Sequence, residues 1–161
     1  MRKGISGFTV VELLIVIVII AILAAITIVA YNGIQARAAE SGIKADMQNA
    51  GKKLELLKVD VGTYPAQTDV GLGAAGIKIS PSLYDTTINN FLYCGATTST
   101  SYAFVARAKN GTVYAYGSNH SFGVYTANPI SDYAAVCLDL ANTNGARYGY
   151  VSGWRTWTGA Q

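Results

Sequence analysis

The stretch GFTVVELLIV, residues 7–16, places one acidic side chain, Glu12, near the start of a long apolar run. Residues 8–31 include no other charged side chain. At ~1.5 Å per residue, a helix of this length spans roughly 36 Å, which is enough to cross a bilayer with some tilt. A carboxylate in such a helix costs roughly 2.5–3.5 kcal/mol at the bilayer centre and less near an end. The sequence therefore predicts a membrane helix whose single acid needs an explanation.

The residues before the apolar run predict its orientation. Arg2 and Lys3 lie on the amino side, so the positive-inside rule predicts a cytoplasmic amino end and a far-side location for everything after Tyr31. A secretory signal peptide cleaved at 36–38 is one alternative, but the run exceeds the usual ~7–15 apolar residues and Glu12 interrupts its start. A plain membrane anchor fits the length and leaves Glu12 unexplained.

Helical periodicity continues beyond the apolar run. One apolar stripe, spaced by three and four residues, is typical of a helix that buries one face. The motif Gly62-Thr63-Tyr64-Pro65 then favours a helix end, because Gly suits a carboxyl-terminal cap and Pro cannot continue a helix. The sequence predicts one helix over about 8–60, with an apolar half at 8–31, an amphipathic half at 32–61 and a globular domain at 62–161. The stripe consists of Ala36, Ala39, Ile43, Met47, Ala50, Leu54, Leu57 and Val61.

The motif GFTVVE at 7–12, after a short basic leader, resembles the prepilin-peptidase signature of type IV pilins and pseudopilins. The similarity continues through 13–15, 24–26 and 30–31. The motif GTYP at 62–65 resembles the loop after the helix in many pseudopilins. The resemblance covers roughly the first 65 residues and is specific, because it combines a glycine, an aromatic residue and a lone acid with a membrane-length run.

The resemblance implies a leader peptide at 1–7, removed between Gly7 and Phe8 by a membrane prepilin peptidase that also methylates the new amino group of Phe8. It further implies that Glu12 of one subunit pairs with the Phe8 amine of a neighbour during assembly. Physical chemistry agrees, because a carboxylate in lipid is tolerated when a cation meets it. The chain departs from the family at Ala21 and Val29, where many pilins carry the helix breakers glycine and proline.

Strand signals dominate after Val70. Lys109-Asn110-Gly111 lies between two β-forming stretches and predicts a hairpin with a two-residue type I′ turn. The glycine-rich stretch 71–76 is interpreted as a loop. We expect an α+β fold, in which an antiparallel sheet packs on the amphipathic half of the long helix, as in pilins. The predicted strands are 88–94, 101–107, 112–116, 121–126, 133–138 and 148–152.

Two cysteines, Cys94 and Cys137, lie in the second half of the chain. In an oxidising compartment they predict one disulfide, and two unpaired buried thiols are the alternative. Many pilins have a disulfide that pins the carboxy-terminal segment to the sheet, so the resemblance favours the disulfide. It would close a loop of about 44 residues, a constraint worth roughly 4 kcal/mol before strain.

Catalytic and cofactor chemistry is not indicated. His120 is the only histidine, so a metal site lacks ligands, and Ser118 with His120 lacks a third catalytic partner. The stretch 71–76 has dinucleotide-binding spacing but follows no strand. Outside the first seven residues, ten basic side chains face nine acidic ones, so no field for nucleic acid remains. The sequence thus predicts no enzyme, no metal and no cofactor.

The predicted function is a structural subunit of a type IV pilus. Its partners would be copies of itself, the prepilin peptidase and the inner-membrane assembly machinery. It would reside in the cytoplasmic membrane with its amino end inside, and afterwards in an extracellular filament. A pseudopilin of a type II secretion or DNA-uptake machine is the first alternative, favoured by 62–65 and disfavoured by the cysteine pair. A monomeric membrane-anchored binding protein is the second.

Overall fold

A computed structural model describes residues 7–65, 67–87, 89–95, 100–143, 145–150 and 153–158. The chain forms two compact units, residues 1–38 and 39–161. Helix α1, Val10–Val61, contributes to both units. This confirms the predicted helix to within two residues at its start and one at its end.

The carboxyl end of α1 is closed by Gly62. Its φ of +85° lies in the left-handed region that glycine adopts readily, and its amide donates to the Lys58 carbonyl at 2.7 Å. Tyr64 then folds back on the helix and donates its hydroxyl to Glu55 at 2.8 Å. The Lys58 ammonium lies 4.2 Å from the centre of the Tyr64 ring, a cation–π contact.

The sheet contains five antiparallel strands in the order β4-β3-β2-β1-β5. In the described part of the unit 39–161, two further helices and two short 3₁₀ turns accompany the sheet. The strands are β1 Asn90–Cys94, β2 Ala103–Arg107, β3 Val113–Gly117, β4 His120–Val124 and β5 Ala146–Tyr150; the helices are α2 Asp69–Ala74 and α3 Tyr133–Ala141; the turns are Pro81–Leu83 and Thr156–Thr158.

Both faces of the sheet are covered, which explains the nearly continuous apolar strands. The α1 face carries the aromatic side of β1, and the α3 face carries the side with Leu92 and Cys94. Four residues of the predicted stripe are completely buried, whereas at its ends Ala36 is exposed and Val61 is 65% exposed. The stripe prediction is therefore right only where the sheet covers the helix. The buried four are Ile43, Met47, Ala50 and Leu54.

The predicted strand at 133–138 is wrong, because this segment is the first part of helix α3. The Asp132 side chain accepts from the Ala135 amide at 3.1 Å and caps the helix. Val136, Cys137 and Leu140, at helical spacing, face the sheet. The short apolar run had been compatible with either element, and the long-range contact with the sheet decides for the helix.

The predicted loop at 71–76 is also wrong. Residues Asp69–Ala74 form the short helix α2, and the Thr68 hydroxyl caps it by accepting from the Gly71 amide at 3.0 Å. A threonine cap outweighs the low helix propensity of two glycines over this short length.

The hairpin between β2 and β3 is present, but its turn is not type I′. The Ala108 amide donates to the Thr112 carbonyl at 2.8 Å, so three residues form the loop. Gly111 has φ +87°, whereas Asn110 keeps a negative φ and type I′ requires both to be positive. The Asn110 side chain accepts from the Thr112 amide at 3.0 Å, which favours this arrangement.

Candidate functional site

Glu12 lies in the first turn of α1 and forms a reciprocal cap with Thr9. The Thr9 amide and hydroxyl donate to Oε2 of Glu12 at 2.9 and 2.8 Å, and the Glu12 amide donates to the Thr9 hydroxyl at 3.2 Å. This is a capping box, which satisfies amides that a helix start leaves unpaired. The Thr-x-x-Glu spacing at residues 9–12 is the sequence signal by which this box can be found.

The capping box leaves half of the carboxylate available. Both bonds from Thr9 end on Oε2, and within the described residues Oε1 accepts no hydrogen bond. The positive end of the helix dipole also favours a negative charge here. The site can therefore accept one further cationic donor without giving up the cap.

Around Glu12 the surface of α1 is apolar. None of the most apolar 18-residue stretch of this helix is buried. Its large side chains from Val10 to Ile28 are 47–81% exposed. A soluble monomer rarely exposes a contiguous apolar surface of this extent. By length and composition the helix is suited to cross a membrane, a property that signal sequences share.

Gly7 and Phe8 precede the helix in non-helical backbone. Phe8 is 83% exposed, and no atom lies within 4 Å of the position that a Cβ on Gly7 would take. The bond between them therefore lies in accessible, irregular chain. The rest of the predicted leader, residues 1–6, lies outside the described part of the chain.

Cys94 and Cys137 form a disulfide, with their Cα atoms 5.1 Å apart. Both side chains are fully buried on the α3 face of the sheet, and the bond joins β1 to α3. The predicted pairing is confirmed, although Cys137 lies on a helix and not on a strand. The disulfide fastens α3, which covers the second face of the sheet.

The other sequence candidates do not form a site. The Ser118 hydroxyl accepts from the Tyr102 amide at 3.1 Å, so it serves the turn between β3 and β4. Across the ranges that the structure describes, no three His, Cys, Asp or Glu side chains gather as metal ligands would.

Comparison with known proteins gives a match to a short amino-terminal motif and a match over most of the chain. Residues 2–28 match the family model for the prokaryotic N-terminal methylation motif. Over 126 residues the chain is 32% identical to the "Type IV wide pilus major component PilA4" of Thermus thermophilus, a match that covers 78% of this chain and 90% of that protein. No solved structure matches the chain significantly.

A long amino-terminal helix, an antiparallel sheet packed on its second half and a methylation motif at its start together define a pilin-like structural protein. The chain belongs to the type IV pilin family. It is accordingly a structural subunit and not an enzyme.

Proposed function

We propose that this chain is the repeating subunit of a type IV pilus, made as a precursor with residues 1–7 as its leader. The observation that carries the proposal is Glu12, the single acid in an exposed apolar helix, held at the helix start with one oxygen free. The pilus component from Thermus thermophilus supports the same role, since most of its length aligns with this chain.

Processing would occur between Gly7 and Phe8. The accessible, non-helical backbone there and the methylation motif at 2–28 support cleavage by a prepilin peptidase and methylation of the Phe8 amine. Arg2 and Lys3 support a cytoplasmic amino end before cleavage. The apolar part of α1 then resides in the cytoplasmic membrane until the assembly machinery extracts the subunit into an extracellular filament.

Assembly would use the charge of Glu12. Cleavage creates a cation at Phe8, four residues from Glu12, and both groups lie in a segment with no other charge. Within lipid a lone carboxylate and a lone ammonium are each costly, and the cost falls when they pair between subunits. Oε1 of Glu12 supplies the acceptor for the neighbour's amine, while Oε2 keeps the helix capped. Pairing therefore favours the filament over the isolated membrane subunit.

The test of processing is Gly7→Val, with Gly4→Val as the matched control in the same leader. We expect Gly7→Val to leave an uncut membrane precursor and no filaments, because the peptidase needs a small residue at the cut. Gly4→Val should be processed normally. Mass spectrometry of sheared filaments from the wild type should find a chain that begins at methylated Phe8. Filaments of normal length and abundance from Gly7→Val would contradict the proposal.

A further inference from the structure

An open groove lies in the unit 39–161, at the end of the sheet where β2 passes into β3. Its cavity volume is about 510 Å³, within the range of protein binding pockets. Most of its described wall is apolar, and among the described lining residues Arg107 alone is charged. The lining residues are Asn89, Arg107, Val113, Pro129, Ile130 and Ser131.

The walls of the groove are held in place. The Tyr148 hydroxyl donates to the Ile130 carbonyl at 2.8 Å, and the Tyr125 hydroxyl accepts from Asn128 at 3.1 Å and donates to Asp139 at 2.9 Å. Two tyrosines from the sheet side therefore fix the loop that forms one wall. A preformed wall reduces the entropy lost when a partner binds.

One hydrogen bond positions the Arg107 side chain, and its guanidinium forms no ion pair with a described carboxylate. Its Nε donates to the Gly111 carbonyl at 3.2 Å, and no carboxylate within the described ranges lies at ion-pair distance from it. Asp85 is a nearby acid, but its carboxylate accepts from the Thr87 hydroxyl and amide at 2.7 and 2.8 Å. These bonds lower the pKa of Asp85, and the charge of Arg107 lowers it further. The terminal nitrogens of Arg107 remain available to another carboxylate.

The groove lies level with the early part of the buried helix. The Asp85 amide donates to the Arg107 carbonyl at 3.0 Å, and the adjacent Tyr84 donates to Asp46 on α1 at 2.9 Å. The opposite end of the sheet lies beside Gly51, where the Tyr102 hydroxyl approaches the helix. From Asp46 the helix continues for another 15 residues, roughly 20 Å, to its carboxyl end. Groove and helix end therefore lie at opposite ends of the unit.

The carboxyl end of α1 has the complementary character. Val59 is 82% exposed and Val61 is 65% exposed, and Asp60 between them is exposed as well. Asp60 makes no hydrogen bond or ion pair with the described residues. Gly62 and Thr63 beyond it are also exposed. This helix tip, residues 59–63, presents one carboxylate between two apolar side chains, and the groove presents one guanidinium between apolar walls.

We propose that the helix tip of one subunit docks in the groove of the next copy, with Asp60 paired to Arg107. The contact joins opposite ends of the same unit, so it is head-to-tail. A head-to-tail contact that does not close generates an open filament, whereas a symmetric dimer would use one patch twice. The inference rests on the proposed pilus function and specifies a contact between globular units outside the helix 10–38.

The test is a charge exchange in the full-length chain, expressed beside the wild type in cells that have a pilus assembly machinery. Arg107→Glu and Asp60→Lys should each lower the yield of sheared filaments by about tenfold, because each brings like charges together across the contact. The double variant restores an opposite pair and should recover most of the yield. Lys109→Glu, an exposed charge reversal in the same hairpin, is the control and should leave the yield unchanged.

A second measurement separates contact from folding. The pair Val61→Cys with Ser131→Cys should give a ladder of disulfide-linked oligomers in oxidised filaments, and neither single variant should do so. A ladder with rescue by the double charge variant supports the contact. Normal filaments from both single charge variants, or no ladder from the cysteine pair, would overturn it and leave the pilus function standing. Absence of filaments from the wild type would overturn both proposals.

Discussion

The two halves of α1 show one helix in two environments. Between residues 10 and 28 the side chains other than Glu12 and Thr27 are apolar, and the whole segment is exposed. At Ile43, Met47 and Leu54 the apolar side chains are completely buried under the sheet. The helical backbone is the same in both halves, so the environment of the side chains makes the difference. The second half is stabilised by its own chain. The first half needs lipid or neighbouring subunits to bury its surface.

Glu12 in the exposed half and Asp46 in the buried half differ in how far along the chain their hydrogen-bond partners lie. Glu12 bonds to Thr9, three residues away, and thereby completes a local cap. Asp46 accepts from the Ser80 amide at 2.7 Å and from the Tyr84 hydroxyl at 2.9 Å, so it fastens a distant loop to the helix. Burial and the negative charge of Asp46 raise the pKa of Tyr84, which keeps its proton for this bond. Glu12 keeps one oxygen for a partner, whereas both oxygens of Asp46 accept hydrogen bonds within the fold.

The largest expected effect separates charge from capping at Glu12. Glu12→Gln can keep the capping box but loses the charge, so we expect few or no filaments from it. Thr9→Ala keeps the charge and loses the cap, and should still assemble, with a helix start weakened by about 1 kcal/mol. Immunoblots of sheared filaments and of the membrane fraction measure how much of each variant assembles and how much stays in the membrane.

The same two variants sharpen the comparison between the halves. Neither should change the unfolding temperature of the unit 39–161, because both lie outside it. If Glu12→Gln assembles like the wild type while Thr9→Ala does not, Glu12 acts through the cap, and the ion-pair account is wrong.

The second prediction tests how much the disulfide contributes to holding α3 on the second face of the sheet. Replacing Cys94 and Cys137 together by serine should lower the free energy of unfolding by roughly 4 kcal/mol, since the disulfide closes a loop across 43 residues. Thermal unfolding of the full-length chain in detergent measures the change. The membrane insertion of the same variant should match the wild type, because both substitutions lie far outside the apolar run 8–31. An unchanged unfolding temperature would mean that α3 is held by packing alone.

The smallest effect compares two glycines on the same helix. A Cβ on Gly51 would clash with the Tyr102 hydroxyl and lie 2.7 Å from Cε1 of Tyr116, whereas a Cβ on Gly33 would meet nothing within 4 Å. Gly51→Ala should therefore destabilise the globular unit by about 1–3 kcal/mol. Gly33→Ala should leave that unit unchanged, because it improves helix propensity in open space.

Chemical denaturation of both glycine variants, followed by circular dichroism, provides the measurement. Equal stabilities would show that the helix and sheet can separate slightly at Gly51 without cost. In that case the close approach of helix and sheet would not require a glycine at position 51.

Much of the architecture was predictable because its signals are local. The long apolar run, the three-and-four spacing from Ala36 to Val61, and Gly62 after the last helical turn each depend on neighbours within a few residues. The hairpin around Gly111 followed for the same reason, since β-forming stretches flank it. The pairing of the two cysteines is not local, and it was predictable because the chain has no further cysteine to compete. The Thr9–Glu12 cap was equally local and could have been predicted.

The errors fall where local signals were ambiguous. The segment 133–138 has aromatic and β-branched residues that suit a strand. The Asp132 cap and the position of the segment across the buried face of the sheet make it a helix. The loop at 71–76 became α2 because one threonine side chain capped it. The prediction of a type I′ turn was wrong because the Asn110 side chain bonds to the Thr112 amide and the Asn110 backbone keeps a negative φ.

By itself the sequence determined the membrane-length helix, the lone acid at its start and the family to which the chain belongs. These depend on composition and on spacings of one to four residues, which a chain carries before it folds. Only the tertiary structure decided that Asp46 anchors the loop at Ser80, that α3 covers the second face of the sheet, and that Arg107 stands in a groove at the opposite end of the unit from Asp60. Each of these depends on residues far apart in the chain, and their proximity arises when burial of the two apolar faces brings the strands and helices together.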